Sequence, residues 1–237
     1  MEIVVSILCP TRKRVPQLKK YLDSIINTVY NFSNVEVLLA VDNDDVDTFL
    51  ALKEYQSYPN IKYWNFERQG YQGIYNYSNF LASIAQGEFL HFGCDDNEYL
   101  SYNWDLIVKE YSKKFAIINP FTPSHSHYCR QDFNGLLFPF VPKKWVEVTG
   151  RLGNNTALDS WIQDVAIESG VRILNEDKII IESYRYEETG LNPNDLTYLE
   201  SKKASHEVVR PDYFSEAQYQ ERSKDVQAIT KYLNSFG

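Results

Sequence analysis

Three cysteines in 237 residues, Cys9, Cys94 and Cys129, are too few and too widely spaced for a disulfide framework or a zinc knuckle. They fit a reducing cytoplasm. No apolar run approaches the ~20 residues a membrane span needs. The opening stretch, Met1 to Pro10, has neither a basic segment nor a small-residue cleavage site. It therefore reads as a first strand and not as a signal peptide. Basic residues are outnumbered, 24 Lys and Arg against 32 Asp and Glu, and the net charge of −8 argues against a broadly basic nucleic-acid-binding surface. Neither G-x-x-x-x-G-K nor G-x-G-x-x-G occurs. That removes the usual kinase and dehydrogenase readings. Without G-x-S-x-G, a Ser-His-Asp hydrolase has no support either. The pair His125 and His127 matches no standard zinc spacing, so its segment is read as a flexible loop.

What is present is a globular composition, 43% hydrophobic, with 18 tyrosines and 13 phenylalanines for core and groove walls. Strands are expected at Ile3–Cys9, Val35–Val41, Ile61–Phe66 and Phe89–Phe92. Helices are expected over residues 15–29, 46–55 and 74–85, the last closed by Gly87. This alternation implies an α/β fold with a mostly parallel sheet and helices on both faces. The second half is less regular: a helix at 104–114, strands at 116–119, 136–141 and 179–181, a helix at 158–169 stopping at Gly170, and a C-terminal helix at 216–236. Residues 184–212 are polar and read as an excursion over the surface. The organisation expected is one domain over 1–184, with a nucleotide-binding half at 1–96 and an irregular acceptor-side half at 97–184. Residues 185–237 are expected to form an extension whose helix packs on the same domain.

The chemistry-bearing stretch is Gln86–Asp96. A short aromatic strand ends abruptly in Asp95 and Asp96, two carboxylates that either face water as a plain turn or hold a cation. Hard oxygen ligands at the carboxyl end of a strand suit Mg²⁺ or Mn²⁺ held against a phosphate. The first strand delivers Pro10, Thr11, Arg12 and Arg14 at a helix start. That turn either binds the phosphates or base of a nucleotide or is simply solvated. The second strand delivers Asp42, an acceptor for a base or ribose, or else an Asx cap for the next helix. Asp44, Asp45 and Asp47 read as the capping residues.

The order strand–Pro-Thr-Arg, strand–Asp, Gln-Gly-Glu-Phe, strand–Asp-Asp resembles the GT-A nucleotide-sugar glycosyltransferases, in particular the glycosyltransferase family 2-like group. Arg68-Gln-Gly and the stretch Tyr75 to Asn79 fall where that family has its "n-x-G…a-x-N" segment. Downstream, Asp159 precedes Gly170-Val171-Arg172 by the family's spacing across one helix. Leu158 stands where the family has Glu, and Glu182-Ser183-Tyr184 stand where a metal-binding His often follows the last strand. The first acid of an Asp-x-Asp triplet would fall on Gly93 or Cys94. The resemblance implies a Rossmann-like GT-A fold and an inverting, metal-dependent transfer of a hexose or pentose from a nucleotide-diphosphate sugar, a UDP-sugar being favoured. It implies donor contacts at Pro10, Thr11, Arg12, Arg14, Asp42, Arg68, Asn79 and Asp95, with Mn²⁺ or Mg²⁺ on Asp95 and Asp96. Asp159 would be the general base, and Trp161 with the 121–129 loop would shape the acceptor site. The acceptor would be a glycan or another hydroxyl-bearing molecule, a modified DNA base included. A nucleotidylyltransferase of similar fold and an inactive nucleotide- or sugar-binding module are the alternatives.

Overall fold

A computed structural model describes residues 3–131, 135–184 and 196–235. The apolar runs become the strands β1 (Val5–Thr11), β2 (Val35–Asp42), β3 (Ile61–Phe66) and β4 (Phe89–Phe92). The periodic stretches become the helices α1 (Val15–Thr28), α2 (Val46–Leu52) and α3 (Ile74–Ile84). After β5 (Asn97–Tyr99) and α4 (Trp104–Lys109), the chain continues with β6 (Ala116–Phe121), β7 (Phe140–Pro142), α5 (Lys143–Thr149), α6 (Leu158–Ser169) and β8 (Arg172–Ser183). The C-terminal part adds α7 (Leu196–Ala204), α8 (Arg210–Tyr213) and α9 (Glu216–Asn234). Of the polar excursion expected at 184–212, residues 185–195 lie outside the described residues, as do Asp132 and Phe236.

The eight strands form one mixed sheet in the order β3-β2-β1-β4-β7-β6-β8-β5. β1 pairs in parallel with β2 and β4, β2 with β3, and β6 with β8. β7 runs antiparallel between β4 and β6, and β5 antiparallel to β8. Two apolar layers cover the sheet. One holds Ile7, Val37 and Leu39 against Leu18, Leu22 and Ile25 of α1 and Trp104 of α4. The other holds Leu8, Leu38 and Leu90 against Leu81 of α3, Trp145 of α5, Trp161 of α6 and Ile229 of α9. Strands buried on both faces need continuous apolar runs, and β2 is buried along its whole length.

Several expectations shift. β1 continues through Pro10 to Thr11, because beyond Leu8 it is flanked by β2 alone and a residue without an N–H is tolerated there. The strand expected at 136–141 is confined to Phe140–Pro142, and Phe138 turns through the left-handed region at φ 51°. Gly87 does not cap α3, which ends at Ala85 in an extended conformation. A Cβ on Gly87 would lie 2.5 Å from the backbone nitrogen of Ser6, so the glycine serves a close approach to β1. Gly170 does end α6, at φ 79°. Asp45 alone caps α2, accepting the Thr48 N–H at 3.3 Å.

His91 in β4 is fully enclosed. Its ring centroid is 4.4 Å from that of Phe140 and 5.7 Å from that of Tyr99, and neither ring nitrogen has a hydrogen-bond partner among the described residues. Burial pushes the imidazole down to about 3. The unfolded chain therefore takes up this proton first, so the stability His91 permits is complete above its ordinary value of about 6.5 and is lost as pH falls from there towards 3. His91→Phe is expected to relieve about 2 kcal/mol of acid destabilisation at pH 5. Melting temperatures of both proteins between pH 4 and 8 check this, and parallel curves would overturn it.

Candidate functional site

From β1 the chain moves one way across the sheet, to β2 and β3, and α3 then returns it to β4 on the other side of β1. The order reverses between β1 and β4. In open α/β sheets the carboxyl ends of strands at such a reversal frame a crevice that their own splayed connections cannot fill. Thr11, Arg12 and Arg14 leave β1 there, Asp42 ends β2, and Asp95 and Asp96 follow β4.

The central cluster joins both sides of the reversal. The Thr11 hydroxyl donates to Asp95 Oδ2 at 2.7 Å. The Arg14 guanidinium donates from Nη1 to Asp95 Oδ1 at 2.6 Å and from Nη2 to Asp96 Oδ2 at 3.2 Å. Asp95 is only 4% exposed. Burial pushes its carboxyl upward, and the Arg14 guanidinium and Thr11 hydroxyl oppose that shift. The turn itself is rigid: the Cys94 N–H donates to Asn97 Oδ1 at 2.9 Å, and the Asp96 carbonyl accepts the Tyr184 N–H from the end of β8 at 2.9 Å. A Cβ on Gly93 would lie 2.1 Å from the Tyr21 hydroxyl oxygen, so a side chain there would have to displace that buried ring.

A second cluster lies at the end of β2. Asp42, 5% exposed, accepts from Arg12 Nη1 at 3.2 Å on one oxygen and from the Tyr77 hydroxyl at 2.8 Å on the other. It caps no helix. Arg12 also grips Asp44 with both terminal nitrogens, so Asp44 is an ion-pair partner and not a cap. The Tyr77 hydroxyl further accepts the Gln69 N–H at 3.0 Å, tying α3 to the loop after β3. Burial, then Asp42, pushes the Tyr77 phenol up to about 12. Between the clusters Lys13 adopts φ 53°, held by its N–H donating to Asp45 Oδ2 at 2.6 Å. That kink separates the two arginines, Arg12 towards β2 and Arg14 towards β4.

Arg68 pairs with Glu200 of α7 at 2.5 Å, and Thr197 of α7 donates to the Arg12 carbonyl at 3.2 Å. The C-terminal part thus reaches this end of the sheet. α7 buries no side chain, so no apolar pattern announced it in the sequence. Tyr77, the buried partner of Asp42, is the other residue the sequence reasoning missed; it falls inside the Tyr75 to Asn79 stretch without being singled out. Asn79 takes a different partner set: its amide donates to the Gly153 carbonyl at 2.8 Å and accepts the Leu152 N–H at 2.8 Å.

Asp159 lies in the first turn of α6. Its Oδ1 accepts the Ser160 N–H at 2.8 Å, not the N–H of residue 161 or 162 expected of a cap. Three residues earlier, the Thr156 hydroxyl lies 3.1 and 3.0 Å from the carbonyls of Tyr71 and Gln72. The start of α6 is thereby held against the loop that also carries Gln69. Trp161, expected near an acceptor, is wholly buried, and its indole N–H donates to Asp225 of α9 at 2.9 Å; the C-terminal helix covers it. The loop after β6 makes several side-chain contacts to β8. Ser124 binds Glu182 through both its N–H, at 3.2 Å, and its hydroxyl, and Arg130 binds Asp177 at 2.7 Å and the Asn119 carbonyl at 2.9 Å.

Among the described residues no group of three or more His, Cys, Asp or Glu side chains is arranged to hold a metal ion. A pair of carboxylates still suits Mg²⁺ or Mn²⁺, which commonly take one or two protein carboxylates and complete their shell with phosphate oxygens and water. In this structure the Arg14 guanidinium lies across both carboxylates. No helix of the described residues is long and apolar enough to cross a membrane.

No protein-family model matches the sequence, and no curated protein matches it. Solved structures do. The mannosyltransferase PcManGT from Pyrobaculum calidifontis, in complex with GDP-Man and Mn²⁺, superposes with a TM-score of 0.65 at 14% identity, over 96% of this chain and 74% of that one. The 1–349 fragment of S. aureus TarS in complex with UDP-GlcNAc gives 0.61 at 12% identity, over 95% and 79%. The same fragment in complex with UDP gives 0.60 at 11%, over 99% and 92%. The likeness runs over nearly the whole chain, and with the strand order and the reversal between β1 and β4 it makes this the GT-A fold of the glycosyltransferases.

Proposed function

We propose that the chain is a glycosyltransferase that moves a sugar, with inversion, from a nucleoside-diphosphate donor to an acceptor hydroxyl. The observation that carries this reading is the convergence of Thr11, Arg14, Asp95 and Asp96 at the reversal of a GT-A sheet, flanked by Arg12 and Asp42. The neighbours of this fold solved with GDP-Man and UDP-GlcNAc support a nucleotide-sugar donor, and UDP is the favoured nucleotide. A glycan or another hydroxyl-bearing molecule is the proposed acceptor. The reducing cytoplasm is the proposed compartment; no disulfide joins the three cysteines.

In this reading Asp42, Arg12 and Tyr77 face the base and ribose, and the first N–H groups of α1 face the diphosphate, where the helix start favours anions. Asp95 and Asp96 hold Mn²⁺ or Mg²⁺, which when bound offsets the charge that develops on the leaving diphosphate. Asp159 takes the acceptor's hydroxyl proton onto its carboxylate. The freed oxygen electron pair attacks the anomeric carbon from the face opposite the diphosphate, the glycosidic bond forms, and the carbon–phosphate oxygen bond breaks with its electrons on the diphosphate. With Leu158 in place of an acid, Asp159 performs this alone.

Thermal shift with a panel of nucleotide sugars, with and without Mn²⁺, tests the proposal. A UDP-sugar is expected to raise the melting temperature in the presence of Mn²⁺ and to have little effect without it. Asp96→Asn is expected to remove most of that metal-dependent gain and to leave the melting temperature of the free protein nearly unchanged, because Asp96 sits in a turn after the strand. Nucleotide affinity that is indifferent to metal would overturn the metal-dependent reading, and no response to any nucleotide sugar would overturn the transferase.

A further inference from the structure

We propose that Tyr77 is a positioning residue of the donor site, whose single hydroxyl sets the plane of the Asp42 carboxylate before a nucleotide arrives. This rests on the donor reading above and names the residue on which Asp42 depends. Tyr77 lies in the first turn of α3 and is 4% exposed. Its ring centroid is 4.8 Å from that of Phe66, the last residue of β3. Packing of the ring therefore aims the phenol, independently of the bonds its hydroxyl makes. A phenol has one proton to donate and can accept in return. Here it meets three groups: Asp42 Oδ1 at 2.8 Å, the Glu67 carbonyl at 2.9 Å and the Gln69 N–H at 3.0 Å. The Gln69 N–H can only donate, so it takes a lone pair of the hydroxyl. The proton is left for two acceptors, and the charged carboxylate is the stronger of them.

Arg12 holds the other oxygen of Asp42 at 3.2 Å, but the same guanidinium is shared with Asp44 through both terminal nitrogens. Arg12 is a long side chain with much rotamer freedom, whereas Tyr77 turns about two side-chain angles and its ring is packed. Tyr77 is therefore the rigid anchor and Arg12 the adaptable one. The backbone of the loop after β3 steadies the hydroxyl in turn, because Gln69 is fastened twice: its N–H binds the Tyr77 oxygen, and its side-chain oxygen accepts the Asn76 amide of α3 at 2.8 Å. One bond on each oxygen fixes the plane of the Asp42 carboxylate and still leaves lone pairs on both for a donor's N–H or hydroxyl. An acceptor already held in its binding geometry loses less freedom when the ligand arrives, and that saving appears as affinity.

The test is calorimetric titration of the whole chain with UDP, and with GDP in parallel, at saturating Mn²⁺, on four proteins: unmodified, Tyr77→Phe, Asp42→Ala and the double variant. Tyr77→Phe keeps the ring that packs on Phe66 and removes one oxygen. It is expected to weaken nucleotide binding roughly tenfold, the scale of one charge-assisted hydrogen bond. Asp42→Ala is expected to weaken it at least as much. In the double variant the losses should not add: with no carboxylate to set, removing the hydroxyl should change affinity by less than about twofold beyond Asp42→Ala alone. Losses that multiply would make Tyr77 a merely structural residue and overturn the proposal. Affinity unchanged in Tyr77→Phe or in Asp42→Ala, while the unmodified protein binds, would overturn it too and leave the donor reading standing. If the unmodified protein binds neither nucleotide, the donor reading itself fails, and the role of Tyr77 falls with it.

Discussion

Asp159→Asn should lower turnover by about two to four orders of magnitude, the usual contribution of a general base, while donor affinity and melting temperature hardly move. The amide has the size and shape of the carboxylate, so it can still accept the Ser160 N–H that Asp159 accepts now. It cannot take a proton from an acceptor hydroxyl. A purely structural role predicts the opposite, because Asn serves a helix start about as well as Asp. Ala157 occupies the cap position of α6 without a side-chain bond, and Asp159 sits one residue into the first turn, where the helix favours a negative charge. Thr156 also fastens this end of α6 to residues 71 and 72. Release of nucleotide from the donor sugar, followed at saturating donor and acceptor, is the measurement. Activity within a few-fold of the unmodified protein would remove Asp159 from the mechanism.

Asp225→Ala should destabilise the whole domain by about 3 kcal/mol, the scale of a buried ion pair broken from one side. Asp225, 2% exposed, receives Arg151 through two nitrogens at 3.2 and 3.0 Å and the Trp161 indole at 2.9 Å. Burial pushes its carboxyl upward, and Arg151 and the Trp161 indole oppose that. Alanine leaves the indole N–H buried without an acceptor, and Arg151 with the Glu221 carboxylate at 2.9 Å and carbonyl at 3.2 Å. Arg222 adds to the same joint: its Nη1 donates to the Tyr213 carbonyl at 2.8 Å, and its guanidinium lies 5.3 Å from the Trp161 ring. If α9 is part of the domain's core, urea unfolding stays a single transition and shifts as a whole, with a melting temperature lower by roughly 6–12 °C. A separate early transition with the main one unmoved would show that the C-terminal part is an appendage.

Much of the first half of the chain was legible because its signals are local. β2 is an unbroken apolar run bounded by turn residues, α1 repeats its apolar positions at helical spacing behind Pro16, and each strand end carries its polar residues in the same short stretch. The second half hides its elements for identifiable reasons. β8 is twelve residues long, but only Ile179 and Ile181 are buried apolar positions, and the 172–178 part is largely exposed, so hydropathy marks only its end. β7 is three residues long and pairs antiparallel, a length too short for any pattern.

The sequence by itself determined the α/β alternation, the acids at the ends of β2 and β4, and the spacing from Asp159 to Arg172, because apolar period and strand-end polarity are properties of neighbouring residues. Only the tertiary structure decided what those residues face. It set Arg14 across both Asp95 and Asp96, 81 and 82 positions away in the chain, and Tyr77 against Asp42. It brought the Tyr21 hydroxyl against Gly93, and it made Trp161, expected as a groove wall, a buried anchor for α9. A side chain's partner depends on how layers stack and which strands become neighbours. That is settled by burying both faces of the sheet at once, which no local stretch of sequence encodes.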